Sequence, residues 1–345
     1  MQLVHIATRE ASLLSILRNE LALSSGLVKR LKWQNAFQLN GAFVHINASV
    51  RRGDRIIVDL SEYVQGYDAE DSSLDILYED EGCLAVEKKC GILVHPSPQR
   101  NSGTLANAVL GYYQRTGQAC GVHPVTRLDR DTFGVVLFAK NAYIHEKFCK
   151  MQKEHQIFKT YHASVFGNKM AKAGLIDLPI MKMPGRSLLR TVAPSGKKSR
   201  TSFRVLDKFE NFSVLELKPI TGRTHQLRVH CKYAGFPILG DPQYQSDESD
   251  AFSKENGLSS QELCAKKLEF QHPMTGEKIC ILSHQDVWRG PLNEYHFTDN
   301  FYCLFVSYHW FLPKTRTGSP TFILSNMVFI ADSGVFTQPW DPPFT

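Results

Sequence analysis

Val135-Val136-Leu137-Phe138-Ala139 is an unbroken apolar run that follows the charged segment His123 to Gly134. A short apolar run bounded by polar and turn residues reads as a buried strand, so the charged segment is a loop or strand end feeding into a core. Leu13, Leu14, Leu17 and Leu21 recur at helical spacing and predict an amphipathic helix. Ser24-Ser25 can cap a second helix, in which Leu27 and Leu31 share one side while Lys29, Arg30 and Lys32 spread over the other. Asn40-Gly41, between apolar flanks, is a hairpin turn signal, and the segment from Val50 to Val58 reads as a Gly53-Asp54 turn into a strand. Residues 61–73 are acidic and polar and read as a linker that lets the small domain before it move.

Further on, two β-like runs flank Asp80-Glu81-Gly82, and Leu105, Val109 and Tyr113 mark a helix. Asn141 can cap a helix that turns Ile144, Phe148 and Met151 inward. The alternation from Ile157 to Gly167 predicts a strand. The stretch Lys182 to Arg200 contains Pro184-Gly185 and Pro194-Ser195-Gly196 and reads as a loop or hairpin.

At 345 residues, 43% hydrophobic and 21% charged, the chain has the composition of a soluble globular protein of two or three domains. The formal charge of +6 suggests a polyanionic partner, and its distribution narrows where. Residues 1–62 hold eight Lys/Arg against five Asp/Glu, and Lys182 to Arg200 holds six basic residues and no acidic one. These are the places to seek phosphate contacts, although a solvated surface explains each almost as well. The eight cysteines show no C-x-x-C spacing, no signal peptide is visible, and no apolar run is long enough to span a membrane. Free thiols in a reducing cytoplasm are the expectation.

The candidate chemistry lies in Arg127-Leu128-Asp129-Arg130-Asp131. Arginines flank Asp129 at i−2 and i+1, and neighbouring positive charge favours the ionised carboxylate. Such a carboxylate can be a nucleophile or a member of a structural salt-bridge cluster, and local chemistry leaves both open.

The stretch His123-Pro-Val-Thr-Arg-Leu-Asp-Arg-Asp-Thr-Phe-Gly134 resembles the catalytic motif of RluA-type pseudouridine synthases, with Thr126 where the family usually has His and Phe133 where it has Ser. Gly222-Arg-Thr-His-Gln-Leu-Arg-Val-His230 resembles a second motif of that family. Phe236-Pro-Ile-Leu-Gly-Asp-Pro-Gln-Tyr244 and Lys159-Thr-Tyr161-His-Ala163 match further family segments. Cys264 stands where His is common, and Lys89-Cys90 replaces a usual Pro-Ser. The resemblance runs from about 74 to 288. Residues 10–60 are similar to the S-four-like RNA-binding domain that often precedes such a catalytic domain. Beyond Gly290 the tail, with its run Phe301 to Trp310, matches nothing in the family. Packing, docking, or an unnatural reading of the gene's end are open for it.

The resemblance implies an α+β protein: a small N-terminal α/β RNA-binding domain (1–60), a linker (61–73), a catalytic domain on a mixed, mainly antiparallel sheet (74–288) and a tail (289–345). It implies an RNA pseudouridine synthase that needs no cofactor or metal. Asp129 is then the nucleophile, Arg228 its partner and Tyr161 the residue against the target base. Arg127 fills the space a flipped uridine vacates. Lys29, Arg30, Lys32, Lys197, Lys198, Arg223, His225 and Gln226 are expected on the RNA. Ribosomal RNA is the first expectation and transfer RNA the second, for a cytoplasmic, monomeric enzyme with no membrane partner. A catalytically impaired RNA-binding relative is the alternative. A glycosidase built on Asp129 and Asp131 fits less well, because it needs carboxyl groups about 5–9 Å apart across a sugar. A metal site at His225 and His230 is disfavoured, because a spacing of five on a strand faces them apart.

Overall fold

The apolar run after the charged segment lies in the strand Phe133–Ala139, every residue of which is buried. Val136, Leu137 and Phe138 are wholly sequestered, and each side chain of that size contributes roughly 1.5–3 kcal/mol on burial. The computed structural model describes residues 1–62, 68–97, 100–290 and two short strands, Phe329–Ala331 and Gly334–Phe336. Among them, Phe133–Ala139 is an inner strand of a ten-stranded sheet. It runs antiparallel to Cys83–Lys88 on one side and parallel to Leu263–Gln271 on the other. The remaining pairings in this sheet, including Phe158–Phe166 with Phe212–Pro219 and Arg200–Lys208 with Phe212–Pro219, are antiparallel. The sheet is mixed and mainly antiparallel, as expected.

The parallel pairing leaves no room at Gly134. Its φ is 107°, and a Cβ there would stand 2.5 Å from the Ala265 carbonyl oxygen. Gly134→Ala is expected to cost about 2–4 kcal/mol through the left-handed backbone and the clash together. Thermal unfolding checks this, and an unchanged melting temperature would mean that the strand end shifts freely.

Six helices pack around the sheets among the described residues, and two of them start at the caps the sequence offered, Ser24 and Asn141. They are α1 (Leu13–Asn19), α2 (Ser25–Trp33), α3 (Leu105–Arg115), α4 (Ala142–Lys153), α5 (Gln226–Tyr233) and α6 (Asp247–Glu255). Ser24 and Asn141 each accept a backbone N–H at the head of α2 and α4, satisfying a donor the helix leaves orphaned. The Asn40-Gly41 pair joins Phe37–Leu39 to Ala42–Phe43, both residues with positive φ as a two-residue hairpin turn requires. The basic stretch forms a hairpin of Ile180–Met183 with Arg186–Val192.

The N-terminal segment carries its own four-stranded sheet, but its helices do not close a separate core. Leu13, Ile16, Leu17, Leu27 and Leu31 share one cluster with Val135, Leu137, Ile144, Phe148 and Phe270. Polar contacts lock the same seam. Ser24 Oγ donates to Glu146 at 2.5 Å, and Tyr143 Oη donates to the Leu21 carbonyl at 3.2 Å. Glu62 receives Arg30 at 2.8 Å, His123 at 2.6 Å and the Ala142 N–H at 3.0 Å. Burial alone would raise the Glu62 carboxyl, yet it is held below its ordinary value by the His123 and Ala142 hydrogen bonds and by the nearby positive charge. Residues 68–72 are tied to α3. Asn107 Nδ2 donates to the Asp68 carbonyl at 2.7 Å, and a Cβ on Gly111 would stand 2.0 Å from the Glu70 carbonyl.

The described part of the expected linker is therefore anchored, and the N-terminal segment does not hang free of the ten-stranded sheet. Sequence patterning missed this, because linker polarity reports solvation and says nothing about a shared apolar seam. Met1–Pro291 forms one compact unit and Leu292–Thr345 another. In the second unit Phe329–Ala331 pairs with Gly334–Phe336, while the aromatic run 301–310 lies outside the described residues. No described helix is long and apolar enough to cross a membrane. The seven described cysteines are free thiols.

Candidate active site

The loop 125–132 is held by hydrogen bonds that do not use its two carboxylates. Thr126 Oγ1 accepts the Leu137 N–H at 2.9 Å, and Gln152 Nε2 donates to the Val125 carbonyl at 2.5 Å. Gln261 Nε2 donates to Thr132 Oγ1 at 2.6 Å. The strongest tether is Lys88, a fully buried lysine closing the strand Cys83–Lys88. Its Nζ donates to the carbonyls of Arg130 (2.6 Å), Thr132 (2.6 Å) and Lys89 (3.1 Å). A buried ammonium is costly unless every proton finds an acceptor, and here three protons meet three carbonyls.

Burial pushes the Lys88 ammonium down to about 8, with Cys90, Asp131 and Asp129 pulling the other way. Above that pH the amine offers two donors where the cation offered three, so one carbonyl loses its partner. Turnover is expected to fall on the alkaline side with an apparent pKa near 8. Folding moves this pKa below its unfolded value of about 10.4. Between the two values the unfolded chain binds more protons, so the Lys88 contribution to stability rises with pH. The alkaline loss of turnover should therefore occur without a parallel loss of melting temperature from this group. A pH–rate profile flat from 7 to 10 would refute the tether's role.

Adjacent charges on the loop do not act alike. Arg130 grips Asp131 with two bonds of 2.9 Å each, so that pair satisfies itself. The sequence placed Asp129 between two guanidiniums of its own loop, but the guanidinium that reaches it comes from α5. Arg228 Nη1 donates to Asp129 Oδ2 at 3.2 Å. The Asp129 side chain is 30% exposed, against 6% for Arg228 and none for Asp241. Arg228 spends its paired donors elsewhere. Its Nε and Nη2 bond Asp241 at 2.7 and 2.8 Å, and Nη2 also reaches Gln243 Oε1 at 3.0 Å. The two-pronged grip of Arg228 thus belongs to Asp241, with one remaining donor aimed at Asp129. Asp241 is further fixed by the N–H groups of Gln243 and Tyr244. The Tyr244 ring lies 4.9 Å from the guanidinium carbon, within cation–π range. Burial alone would lower the Arg228 pKa, but the Asp241 and Asp129 contacts carry it above its ordinary value.

His225 precedes α5 in the left-handed region, φ 55°, and makes no side-chain cap there. Strain of this kind persists where surrounding structure fixes it. The Arg190 N–H donates to Tyr244 Oη, whose hydroxyl lies 2.8 Å from His225 Nδ1. With Tyr244 donating to Nδ1, Nε2 carries the proton and faces Asp129 Oδ2 at 3.9 Å. Burial lowers the His225 pKa, the Arg228 and Arg190 charges add to this, and Asp129 opposes. Tyr161 stands half-buried on Phe158–Phe166, its phenol pushed up by burial and then by the Asp129 charge.

Arg127 is exposed on the loop, and its charge adds to burial in lowering the Lys159 pKa. Lys29, Arg30, Lys32, Lys197, Lys198 and Arg223 are exposed, as an RNA contact requires. Gln226 is not. It is buried, donating to the Arg200 carbonyl and Thr201 Oγ1 and accepting from Thr221 and the Arg223 N–H, so it braces the fold rather than meeting RNA. The segment holding His225 and His230 is the helix α5, not a strand. His230 is buried against Thr201 and the Leu178 carbonyl.

Three of the departures from the expected motifs, Thr126, Phe133 and Cys264, are packing positions. Thr126 bonds the backbone, Phe133 joins an apolar cluster with Phe212 and Val214, and Cys264 is buried beside Ser283. One metal-compatible group occurs among the described residues, Asp80, Cys83 and His272. There the Thr275 N–H donates to His272 Nδ1, and His272 Nε2 lies 3.1 Å from Asp80 Oδ2 without making a hydrogen bond among the described residues. Sequence reasoning gave no role to Lys88 or Asp241. The only sequence signals were a lysine ending an apolar run and an acid within a matched segment.

Comparison with known proteins adds a family to this geometry. A family model described as RNA pseudouridylate synthase matches residues 82–233. The uncharacterized RNA pseudouridine synthase YjbO of Bacillus subtilis is 36% identical over 263 residues, covering 75% of this chain and 90% of that protein. The ribosomal large subunit pseudouridine synthase D of Pasteurella multocida is 31% identical over 269 residues, covering 75% and 80%. Among solved structures, human RNA Pseudouridylate Synthase Domain Containing 1 superposes with a TM-score of 0.51 at 24% identity, over 64% of this chain and 92% of that one, a likeness of fold.

Proposed function

Because the chain belongs to the RNA pseudouridine synthase family and is an isomerase of RNA uridines, we propose that Asp129 is its nucleophile and that the substrate is ribosomal RNA. The observation that carries the reading is the array Asp129–Arg228–Asp241, in which a buried ion pair aims one remaining N–H at a partly exposed carboxylate. The net reaction breaks the uridine N1–C1′ bond and makes a C5–C1′ bond. The C5 proton leaves to solvent, and N1 takes up a proton. Asp129 attacks the target nucleotide, and Arg228 keeps the carboxylate oriented throughout. Tyr161 offers its ring to the detached uracil, which must turn over without escaping.

In a helix the uridine must first leave its stack, at a cost of a few kcal/mol. Arg127 is exposed beside Asp129 and can occupy the vacated space. Phosphate contacts by Lys29, Arg30 and Lys32 on an S-four-like module over residues 1–60, and by Lys197, Lys198 and Arg223, offset the cost. Relatives named as ribosomal large subunit synthases support the choice of RNA. The impaired-relative alternative loses force because Thr126, Phe133 and Cys264 serve packing rather than the reacting groups. The test uses [5-³H]uridine-labelled ribosomal RNA from cells lacking the protein. Release of tritium to water at one or a few sites per molecule is expected. Release from transfer RNA alone would overturn the substrate, and release from neither would overturn the activity.

A further inference from the structure

We propose that the N-terminal segment takes one unstacked RNA base in a cleft between the end of α2 and the Phe43–Ile46 segment, a reading that rests on RNA being the substrate. The cleft has a volume of about 260 Å³ and is lined by Lys32, Asn35, Phe37, Phe43, His45 and Ile46, among others, with no carboxylate in its lining. Small-molecule sites usually run to roughly 300–1,000 Å³. This one is below that range, a size for a single planar ring rather than a whole cofactor.

Phe43 is 70% exposed and the adjoining Trp33 is 78% exposed. Large aromatics left this open on one small module, beside cations, have the composition of a single-strand stacking platform, where ring faces meet bases and Lys or Arg meets the backbone. Lys32 lies 6.0 Å over the Trp33 ring and also lines the cleft with Phe43, so one cation adjoins both aromatic residues. The edge of a bound base has partners too. The Asn35 side-chain amide makes no hydrogen bond among the described residues and offers both a donor and an acceptor. The Asn47 N–H approaches His45 Nδ1 at 3.4 Å, which leaves the ring proton on Nε2 as a donor. Charge selects the occupant: a basic, carboxylate-free rim favours a polyanion over an apolar protein segment.

The test compares wild type with Phe43→Leu and Phe43→Tyr in the full-length protein. Leucine keeps the apolar bulk and removes the ring face, whereas tyrosine restores the face. The probes are a fluorescein-labelled mixed-sequence 12-nucleotide RNA, its duplex, and the same strand with abasic sites. Phe43→Leu is expected to weaken single-strand binding by about 5- to 100-fold. Duplex and abasic binding should stay as in wild type, and Phe43→Tyr should recover most of the loss. Unchanged single-strand affinity in Phe43→Leu overturns the proposal. So does an equal loss on the abasic strand, which would mean phosphate contact only, or a changed sedimentation coefficient without a changed RNA affinity, which would mean protein docking. Tritium release by wild type is scored separately. Its absence, with the Phe43 effect intact, would sink the catalytic reading and leave the base cleft standing.

Discussion

Asp129→Asn should release no measurable tritium from [5-³H]uridine RNA, a loss of at least about 10⁴-fold, the scale seen when a nucleophile is removed from a preorganised site. The substitution is nearly isosteric, and an amide oxygen can still accept the Arg228 donor, so the loop should keep its shape. RNA affinity should therefore stay within about threefold, because positioning contacts to phosphate are made elsewhere. The pairing of lost chemistry with kept binding separates a nucleophile from a member of a structural salt-bridge cluster, whose loss would disturb folding. Turnover by Asp129→Asn within tenfold of wild type would end the assignment. The native partner geometry sharpens the point. Arg130 and Asp131 are already satisfied by each other, so no neighbouring carboxylate on the loop stands ready to substitute.

Asp241→Ala should be among the most destabilising single changes in the catalytic region. Asp241 has no exposed surface and takes two bonds from Arg228, itself 6% exposed. Removing one member of such a pair strands the other charge in a poor dielectric, at about 3–5 kcal/mol. For a domain of this size that corresponds to a fall in melting temperature of roughly 6–20 °C. The double change Arg228→Met with Asp241→Leu replaces the ions by packed apolar groups and should recover most of that stability, as buried pairs commonly allow. It should recover none of the activity, because Asp129 then has no aimed donor. Thermal melts and tritium release on the same preparations read the two effects. A melting temperature for Asp241→Ala within a degree of wild type would refute the account of the pair.

The elements easiest to read were those whose sequence carries both a period and a cap. Ser24 and Asn141 each begin the helix they mark, and Phe133–Ala139 is buried along its whole length, as an unbroken apolar run implies. The helix α5 was misread for a physical reason. Leu-Arg-Val-His alternates like a strand, and its start is a left-handed histidine with no capping side chain, so neither usual signal is present. Hydropathy also assigns lysine and aspartate to the surface by default, which hides Lys88 and Asp241. Their burial depends on partners that include residues 44 and 13 positions away. The encounter of Asp129 with Arg228, 99 positions apart, was legible only through family resemblance. No local rule could have shown that Asp241 takes the larger share of that arginine.

The seam in which Leu13, Ile16 and Leu17 share a core with Ile144 and Phe148 also bears on target choice. An appendage on a tether samples many separations and tolerates many targets. On the proposed function, a bolted one works like a caliper, setting the span between the nucleotides it would grip and the one it would present to Asp129. Selectivity would then be measured out by the protein's own dimensions, and an RNA would qualify by folding to fit that gauge rather than by spelling a particular sequence.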